Sequence, residues 1–200
     1  MNRAELKQNA RYSLISNFSE TLKILLLYLG ISFATALGTG LLSLVGEVAT
    51  LIAYVIAIAI SGLLYMGYNS FFLKVARDEE VTYKELFSKT KMFWSCIGIS
   101  LLIGLFTTLW TFLLIIPGII ASINYSFVYL VKLDNPELKV MEVLNKSKEL
   151  MDGHKWDFFV LLLSFLFWYI IGLFTFGLLY LWLIPYMQIT FANFYDEIKD

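Results

Sequence analysis

Cysteine and histidine are nearly absent from this sequence, which has one of each in 200 residues. Cys96 has no second cysteine with which to pair, so an internal disulfide is excluded. His154 has no cysteine or second histidine beside it, so the usual ligands of a zinc site are missing. We therefore expect neither a metal nor another cofactor.

Charged residues are also scarce, at 16 % of the chain, and they are unevenly distributed. All fifteen Lys and Arg residues lie in four polar stretches, 1–23, 74–91, 132–155 and 196–200. Between them run three apolar blocks, 24–73, 92–131 and 158–195, in which Glu47 is the only charge. A soluble domain does not run for about 40 residues without a charge. The pattern predicts a single integral membrane domain over residues 1–200, with the lipid bilayer as its surroundings and no nucleic-acid partner.

Each apolar block is too long for one membrane crossing. The 40 residues of 92–131 would measure about 60 Å as one helix, whereas the hydrocarbon core is about 30 Å thick. Turns are expected at Gly46–Glu47, at Pro117–Gly118 and near 174–177. The six predicted crossings are roughly 22–45, 48–72, 92–115, 117–133, 158–174 and 178–195. Because cytoplasmic loops collect Lys and Arg, all four polar stretches and both termini are expected on the cytoplasmic side.

The polar stretch before each pair of crossings has the pattern of a short amphipathic helix. Capping-box spacing or an N-cap followed by proline marks the expected starts at Asn2 with Glu5, Thr82 with Glu85, and Asn135–Pro136. One predicted apolar face comprises Leu6, Ala10, Leu14 and Phe18, and another comprises Val140, Leu144, Ser147 and Met151. The middle example, Tyr83 to Lys91, is short.

The second crossing of each pair shares a spaced pattern. An opening Gly62, Pro117 or Pro185 is followed five positions later by a small residue, and ten positions later by Phe72, Phe127 or Tyr195. These features predict an all-α membrane protein with six transmembrane helices arranged as three hairpins, each preceded by a cytoplasmic amphipathic helix, in a pseudo-threefold repeat. The repeats would cover about 1–73, 74–133 and 134–200.

Three segments resemble a known family. They are Leu109–Ser126, Ser147–Trp156 continuing into 159–164, and Leu181–Tyr186 with Phe194–Tyr195 after it. The sequence resembles a family of bacterial integral membrane proteins known as domain of unknown function 975, and it is more distantly similar to the membrane region of bacterial glycerophosphodiester phosphodiesterases. The resemblance implies a location in the bacterial cytoplasmic membrane and supplies no activity.

Two sites for chemistry lie outside the crossings. Glu47 is either a cation or substrate contact, or a loop residue that separates two helices. In Gly153–His154–Lys155–Trp156, His154 and Lys155 would bind a lipid phosphate or nucleotide. Alternatively, Gly153 caps a helix, Lys155 meets headgroups and Trp156 joins the interfacial aromatic belt.

Amide side chains are the strongest polar groups within the apolar blocks. Asn69 and Asn124, with Gln188 and Asn193, lie in second crossings, where they would line a polar cavity or hydrogen-bond between helices. Pro117, Gly118, Gly153 and Pro185 are predicted turn or cap positions.

Three functions fit this sequence. The first is a non-enzymatic membrane module that binds a partner protein or an anionic lipid, with Lys139, Lys146 and Lys148 as contacts. The second is a small permease or channel for an amphiphilic solute. The third is a lipid-headgroup enzyme centred on His154. The sequence leaves the ligand, the partner and the oligomeric state open.

Overall fold

A computed structural model describes residues 3–199 as an all-helical chain. Its α-helices are α1 (Arg3–Ser16), α2 (Phe18–Ser43), α3 (Glu47–Ala76), α4 (Phe93–Leu113), α5 (Ile115–Asn124), α6 (Val128–Asp134), α7 (Val140–Leu150), α8 (Lys155–Phe174) and α9 (Tyr180–Lys199). Two short 3₁₀ helices, Tyr83–Phe87 and Thr90–Met92, precede α4.

Several of these helices are long and apolar enough to cross a membrane. Within residues 3–199 there are five such segments: Phe18–Ser43, Glu47–Ala76, Tyr83–Phe112, Ile116–Asp134 and Lys155–Phe174. The protein is therefore a membrane protein. Helix α9, which carries three charged residues near its end, is not among the five.

Helix α3 divides the molecule into a packed half and a lipid-exposed half. Its 30 residues measure about 45 Å, so it is longer than the hydrocarbon core is thick. Between Leu26 and Ser61, which covers most of α2 and the first half of α3, only Ala53 is buried. From Gly62 to Val75 most residues of α3 are buried. The protein core therefore lies towards the C-terminal end of α3.

The four polar stretches meet at this same end, which we call the polar end. Ser13 of α1 contacts Asp78 at 3.5 Å, and the backbone amide of Tyr83 donates to Glu20 at 2.9 Å. Arg77 joins Asp134 and Asp196. Residues from all four stretches are thus linked by direct polar contacts.

An aromatic cluster fills the core beside these contacts. The ring of Phe127 lies 5.0 Å from that of Phe158, 5.8 Å from that of Phe194 and 5.7 Å from that of Tyr195, measured between centroids. Close aromatic pairs in such arrangements stabilise a core beyond the area that they bury. The cluster holds α8 and α9 against the start of α6.

The break before α5 does not fall at the predicted proline. Helix α4 ends at Leu113, Leu114 is extended, and α5 begins at Ile115. Pro117 and Gly118 therefore lie in the first turn of α5. Proline is tolerated there because the first backbone nitrogens of a helix have no hydrogen-bond partner within it. An added Cβ on Gly118 would lie 2.8 Å from the Thr111 Cα, so this glycine allows α5 to pack closely against α4.

The predicted fourth crossing, 117–133, is not one continuous helix. It consists of α5 and α6, separated by residues 125–127. The hydroxyls of Ser122 and Ser126 donate to the carbonyls of Gly118 and Ser122, at 2.8 and 2.9 Å. Serine bonds of this kind compete with the helical ladder and bend helices.

The prediction that Pro185 lies at a turn or cap is wrong. Pro185 is buried inside α9. The turn between α8 and α9 contains instead Phe176 and Gly177, which have φ angles of 52° and 84°. A proline within a helix costs one backbone hydrogen bond, which membrane helices tolerate when neighbouring groups satisfy the freed carbonyl. Turns were also predicted at Gly46–Glu47 and near 174–177. The structure has the corresponding breaks between helices at residues 44–46 and 175–179.

The segments before the crossings differ from the predicted amphipathic helices. Tyr83–Lys91 forms 3₁₀ helices, and α7 begins at Val140 instead of after Asn135, because the Glu142 carboxylate accepts from the Lys139 amide at 2.7 Å. Leu6, Ala10 and Leu14 are buried, whereas Phe18 is 44 % exposed. Leu144, Ser147 and Met151 are buried as predicted, and Val140 is partly buried. Asn2 lies outside the described residues.

Close packing of α3 against the first 3₁₀ helix depends on Gly67. An added Cβ would lie 2.8 Å from the Cα of Leu86, a fully buried residue. Gly67→Ala should therefore destabilise the protein by about 1–3 kcal/mol, as overpacking does. Gly30→Ala is the matched control, because Gly30 is also helical and an added Cβ there meets nothing within 4 Å. A melting temperature that falls equally in both variants, measured in detergent, would contradict this account.

Candidate functional site

A cavity of about 180 Å³ lies between α3, α8, α9 and the start of α6. We call it the central cavity. Its polar lining includes Asn69 of α3, Ser126 before α6 and Gln188 of α9, and its aromatic lining includes Phe127 and Phe158. The volume is below the roughly 300–1,000 Å³ of typical ligand pockets, so it suits water molecules or a small solute.

The two side-chain amides of the central cavity differ in their hydrogen bonding. Asn69 is 7 % exposed, and its side-chain nitrogen donates to the Tyr65 carbonyl at 2.7 Å. The side chain of Gln188 has no hydrogen-bond partner among residues 3–199. An amide without a partner beside a cavity is available to a bound molecule.

Asn124 does not share this cavity with Asn69. It lines a separate pocket of about 180 Å³ with Trp110, Tyr125 and Lys148. The Asn124 carbonyl accepts from the Ser147 hydroxyl at 2.8 Å, while its side-chain oxygen is buried without a partner in the described chain. The break at 125–127 ends α5 at Asn124 and so separates this residue from the central cavity. Asn193 also lies elsewhere, with its side chain 3.4 Å from the Leu6 carbonyl.

An ion cluster lies at the polar end, formed by Arg77, Asp134, Tyr195, Asp196 and Lys199. We call it the Arg77 cluster. Arg77 donates to both carboxylate oxygens of Asp134 at 2.9 and 2.7 Å, and to those of Asp196 at 2.8 and 3.1 Å. Lys199 lies 3.2 Å from Asp134 and 2.8 Å from Asp196. Two cations and two carboxylates therefore balance in one cluster.

The cluster stabilises the charged forms of its cations. The hydrogen bonds that Arg77 donates, to Asp134 first and to Asp196 second, raise the pKa of Arg77. Burial alone would lower the pKa of Lys199, but its bonds to Asp196 and Asp134 raise it overall. Bidentate guanidinium–carboxylate pairs combine strength with a fixed geometry. The cluster thereby fixes the ends of α3, α6 and α9 relative to one another.

The Arg77 cluster is connected to the central cavity through Tyr195. The Tyr195 hydroxyl donates to Asp134 at 3.1 Å, and its ring packs on Phe127, which lines the cavity. The cavity thus ends, on the polar side, at an aromatic layer backed by ion pairs.

The segment Gly153–His154–Lys155–Trp156 forms the turn from α7 into α8. Gly153 has a φ of 82°, a value that favours glycine, and it follows the C-cap residue Met151. His154 is the N-cap of α8, and among the described residues it hydrogen-bonds only through its backbone. Lys155 pairs with Asp152 at 3.2 Å, and Trp156 is 71 % exposed.

Glu47 is the exposed first residue of α3 and follows Gly46, whose φ is 146°. A carboxylate in the first turn of a helix interacts favourably with the helix dipole. Within residues 3–199, no group of three or more His, Cys, Asp or Glu residues is arranged to hold a metal ion.

Sequence reasoning missed the Arg77 cluster. Arg77 is 57 residues from Asp134 and 119 from Asp196, so no local pattern connects them. One signal was present: each second crossing is followed closely by a charged residue, and these charges are of both signs. Lys132, which follows the predicted fourth crossing, is 4 % exposed, and its amine donates to the carbonyls of Pro136 and Leu138.

Comparison with known proteins identifies a family only. The family model described as "Protein of unknown function (DUF975)" matches residues 1–121 and 111–200. No curated protein and no solved structure matches the chain. The distant similarity to the membrane region of glycerophosphodiester phosphodiesterases finds no support in these matches.

Removing Arg77 should destabilise the fold. Arg77→Ala leaves Asp134 and Asp196 without their main partner, and breaking such a partly buried pair should cost about 3 kcal/mol. Arg77→Lys keeps the charge without the bidentate geometry and should fall between Ala and wild type. Lys84→Ala, at an exposed residue in the same polar stretch, is the control. Thermal melts in lipid nanodiscs check the order, and an unchanged melting temperature for Arg77→Ala would refute it.

Proposed function

The chain belongs to the DUF975 family of proteins of unknown function, and from its geometry we propose that it is a non-enzymatic membrane module that binds a transmembrane helix of a partner. The single observation that carries this proposal is the exposed groove between α2 and α3.

We propose six crossings arranged as three hairpins, α2 with α3, α4 with α5 and α6, and α8 with α9. The meeting of the polar stretches at one end supports this arrangement, because each apolar block must then cross and return. Helix α9 provides the return of the third block, since its Lys199 contacts Asp134 and its Asp196 pairs with Arg77 at the polar end. Because all Lys and Arg residues lie in these stretches, the positive-inside rule favours a cytoplasmic polar end, and we propose that the protein lies in the bacterial cytoplasmic membrane.

The same contacts support a pseudo-threefold relation among the hairpins. Arg77, Asp134 and Asp196 lie at or near the ends of α3, α6 and α9, which are the returning helices of the three hairpins. The central cavity is lined by the same three parts of the chain. A repeat of this kind accounts for three helix ends that converge on one cluster.

The α2–α3 groove lies in the half of the molecule that the core does not cover. It encloses about 510 Å³, and its lining is mostly small or hydroxylated, including Ser32, Thr35, Thr39, Gly40 and Ser61. In the surrounding stretch from Leu26 to Ser61 nearly every residue is at least partly exposed. Large apolar side chains such as Leu37 and Leu41, at 53 and 66 % exposure, point away from it into lipid.

This lining suits another helix better than it suits lipid chains. Thr35, Thr39 and Ser61 donate to carbonyls of their own helices at 2.8, 2.9 and 3.0 Å, so these three hydroxyls are already satisfied. Small residues allow a second backbone to approach closely, and association in membranes depends on such packing. A groove between two helices provides contact on two sides of an incoming helix.

A permease for an amphiphilic solute is the second candidate, and the free amide of Gln188 in the central cavity favours it. Asn69 and Gln188 would contact the polar part of a solute, and Phe127 and Phe158 its apolar part. In this function the Arg77 cluster would have to open during each cycle, because it lies at the polar end of the cavity.

Site-specific cross-linking tests the module. In a Cys96→Ala background the chain has no cysteine, so Thr39→Cys can carry a thiol-linked benzophenone within the groove. We expect illumination in native membranes to give one discrete protein adduct, identified by mass spectrometry as a partner or a second copy. Leu41→Cys is the matched control, two residues away and facing lipid. The same adducts at both positions would argue against a helix in the groove.

Cysteine accessibility tests the permease. Gln188→Cys in the same background should react with a water-soluble methanethiosulfonate from both sides of sealed vesicles if the central cavity conducts. Ile189→Cys, at a neighbouring residue with no exposure, is the control that should stay unmodified. Protection of Gln188→Cys from both sides would remove the support for transport.

A further inference from the structure

Helix α1 carries three cations along one side, Arg3, Lys7 and Arg11. They recur every four residues, so their side chains are neighbours on successive turns, with Cβ atoms about 6 Å apart. No carboxylate pairs with any of them among residues 3–199, whereas Lys23, Lys89 and Lys155 each have an acidic partner. Like charges at this spacing repel each other, so the row lacks a counter-charge.

The middle cation of this row lies against a helix that is apolar enough to cross the membrane. The Lys7 amine donates to the Ser164 hydroxyl at 2.7 Å and lies 4.4 Å from the centre of the Phe165 ring. Ser164 is nine residues after the start of α8, or about 14 Å along it. Burial first, and the charge of Arg3 second, lower the pKa of Lys7.

The surface next to Lys7 is apolar and open. On α8, Leu163, Leu166 and Phe167 are 46, 53 and 65 % exposed. Helix α1 also lies along α9, where the Asn193 side chain is 3.4 Å from the Leu6 carbonyl. The row of cations is thus bordered by the faces of two helices that we place in the bilayer.

The hydrogen-bond donors that these contacts leave free are suited to a phosphate group. A lysine ammonium has three donors, of which Ser164 takes one. The guanidinium groups of Arg3 and Arg11, on either side, are suited to phosphate oxygens. A charge placed beside a lipid-facing helix is costly without a counter-ion, and a phosphate would supply the missing negative charge.

We propose that Arg3, Lys7 and Arg11 bind the headgroup phosphate of an anionic phospholipid, whose acyl chains lie along the exposed face of α8. A lipid fits better than free phosphate because its acyl chains would cover the exposed apolar side chains of Leu163, Leu166 and Phe167, whereas an inorganic ion would leave them uncovered. This site is independent of the α2–α3 groove and of the central cavity.

Lipid binding by charge-matched variants tests the site. The variant Arg3→Gln, Lys7→Gln and Arg11→Gln is compared with the control Lys23→Gln, Lys84→Gln and Lys89→Gln, which loses the same charge from cations outside this row. Each protein is reconstituted in phosphatidylcholine nanodiscs with increasing phosphatidylglycerol, and native mass spectrometry counts the bound lipid. Each basic residue near an anionic surface contributes about fivefold, so the first variant should bind phosphatidylglycerol at least about tenfold more weakly. The control should change binding by less than about threefold.

Three results would overturn the proposal. Equal losses in the two triple variants would show only a general effect of surface charge. Displacement of phosphatidylglycerol by millimolar inorganic phosphate would assign the site to the free ion. Unchanged binding of phosphatidylglycerol in the Gln variant would show that these three cations do not hold the lipid. Loss of binding in the Gln variant at an unchanged melting temperature, with binding retained in the control, supports the proposal.

Discussion

The bidentate hydrogen bonds of Arg77 to Asp134 and Asp196 are the interaction on which the polar end of the molecule depends. Apolar burial alone does not fix the relative height or rotation of helices in a membrane, because lipid solvates apolar side chains as well as protein does. A guanidinium held between two carboxylates fixes both, since each bond has a narrow range of distance and angle. Lys199 completes the charge balance. The aromatic cluster of Phe127, Phe158, Phe194 and Tyr195 then packs on a frame whose geometry is already set.

The opposite half of the molecule has no comparable constraint. From Leu26 to Ser61, α2 and the first half of α3 leave nearly all their side chains at least partly exposed. Such a stretch is stable in a bilayer because its backbone is hydrogen-bonded within each helix, and it stays available to another helix. The division between a fixed polar end and an open apolar half agrees with the docking module that we propose, since one part holds the fold and the other presents a surface.

Sequence patterns predicted the elements that depend on local chemistry and missed those that depend on distant residues. The turns at Gly46 and Gly177 follow from the positive φ that glycine permits. Asn69 and Gln188 line one cavity, whereas the sequence left open whether the four amides line a cavity or hydrogen-bond between helices. Proline was a poor guide, because Pro117 lies just inside α5 and Pro185 lies within α9. The bend at 125–127, which removes Asn124 from the cavity, depends on serine hydroxyls that also occur in straight helices. The Arg77 cluster joins residues up to 119 positions apart, and hydropathy contains no information about such partners.

The cations of this chain differ in whether groups of the protein balance their charge. Arg77 and Lys199 are neutralised by carboxylates, so these charges are balanced within the protein. The Lys132 amine donates to the carbonyls of Pro136 and Leu138, which solvate its charge. Lys7 has a hydroxyl and an aromatic ring, which orient an ammonium but do not neutralise it. With Arg3 and Arg11 it forms a charge that must be balanced from outside. Because α1 also packs against α9 and α3 through Leu6, Ala10 and Leu14, a lipid bound there would contact the same helices that the Arg77 cluster holds. The lipid would then be part of the packed polar end and not merely part of its solvent.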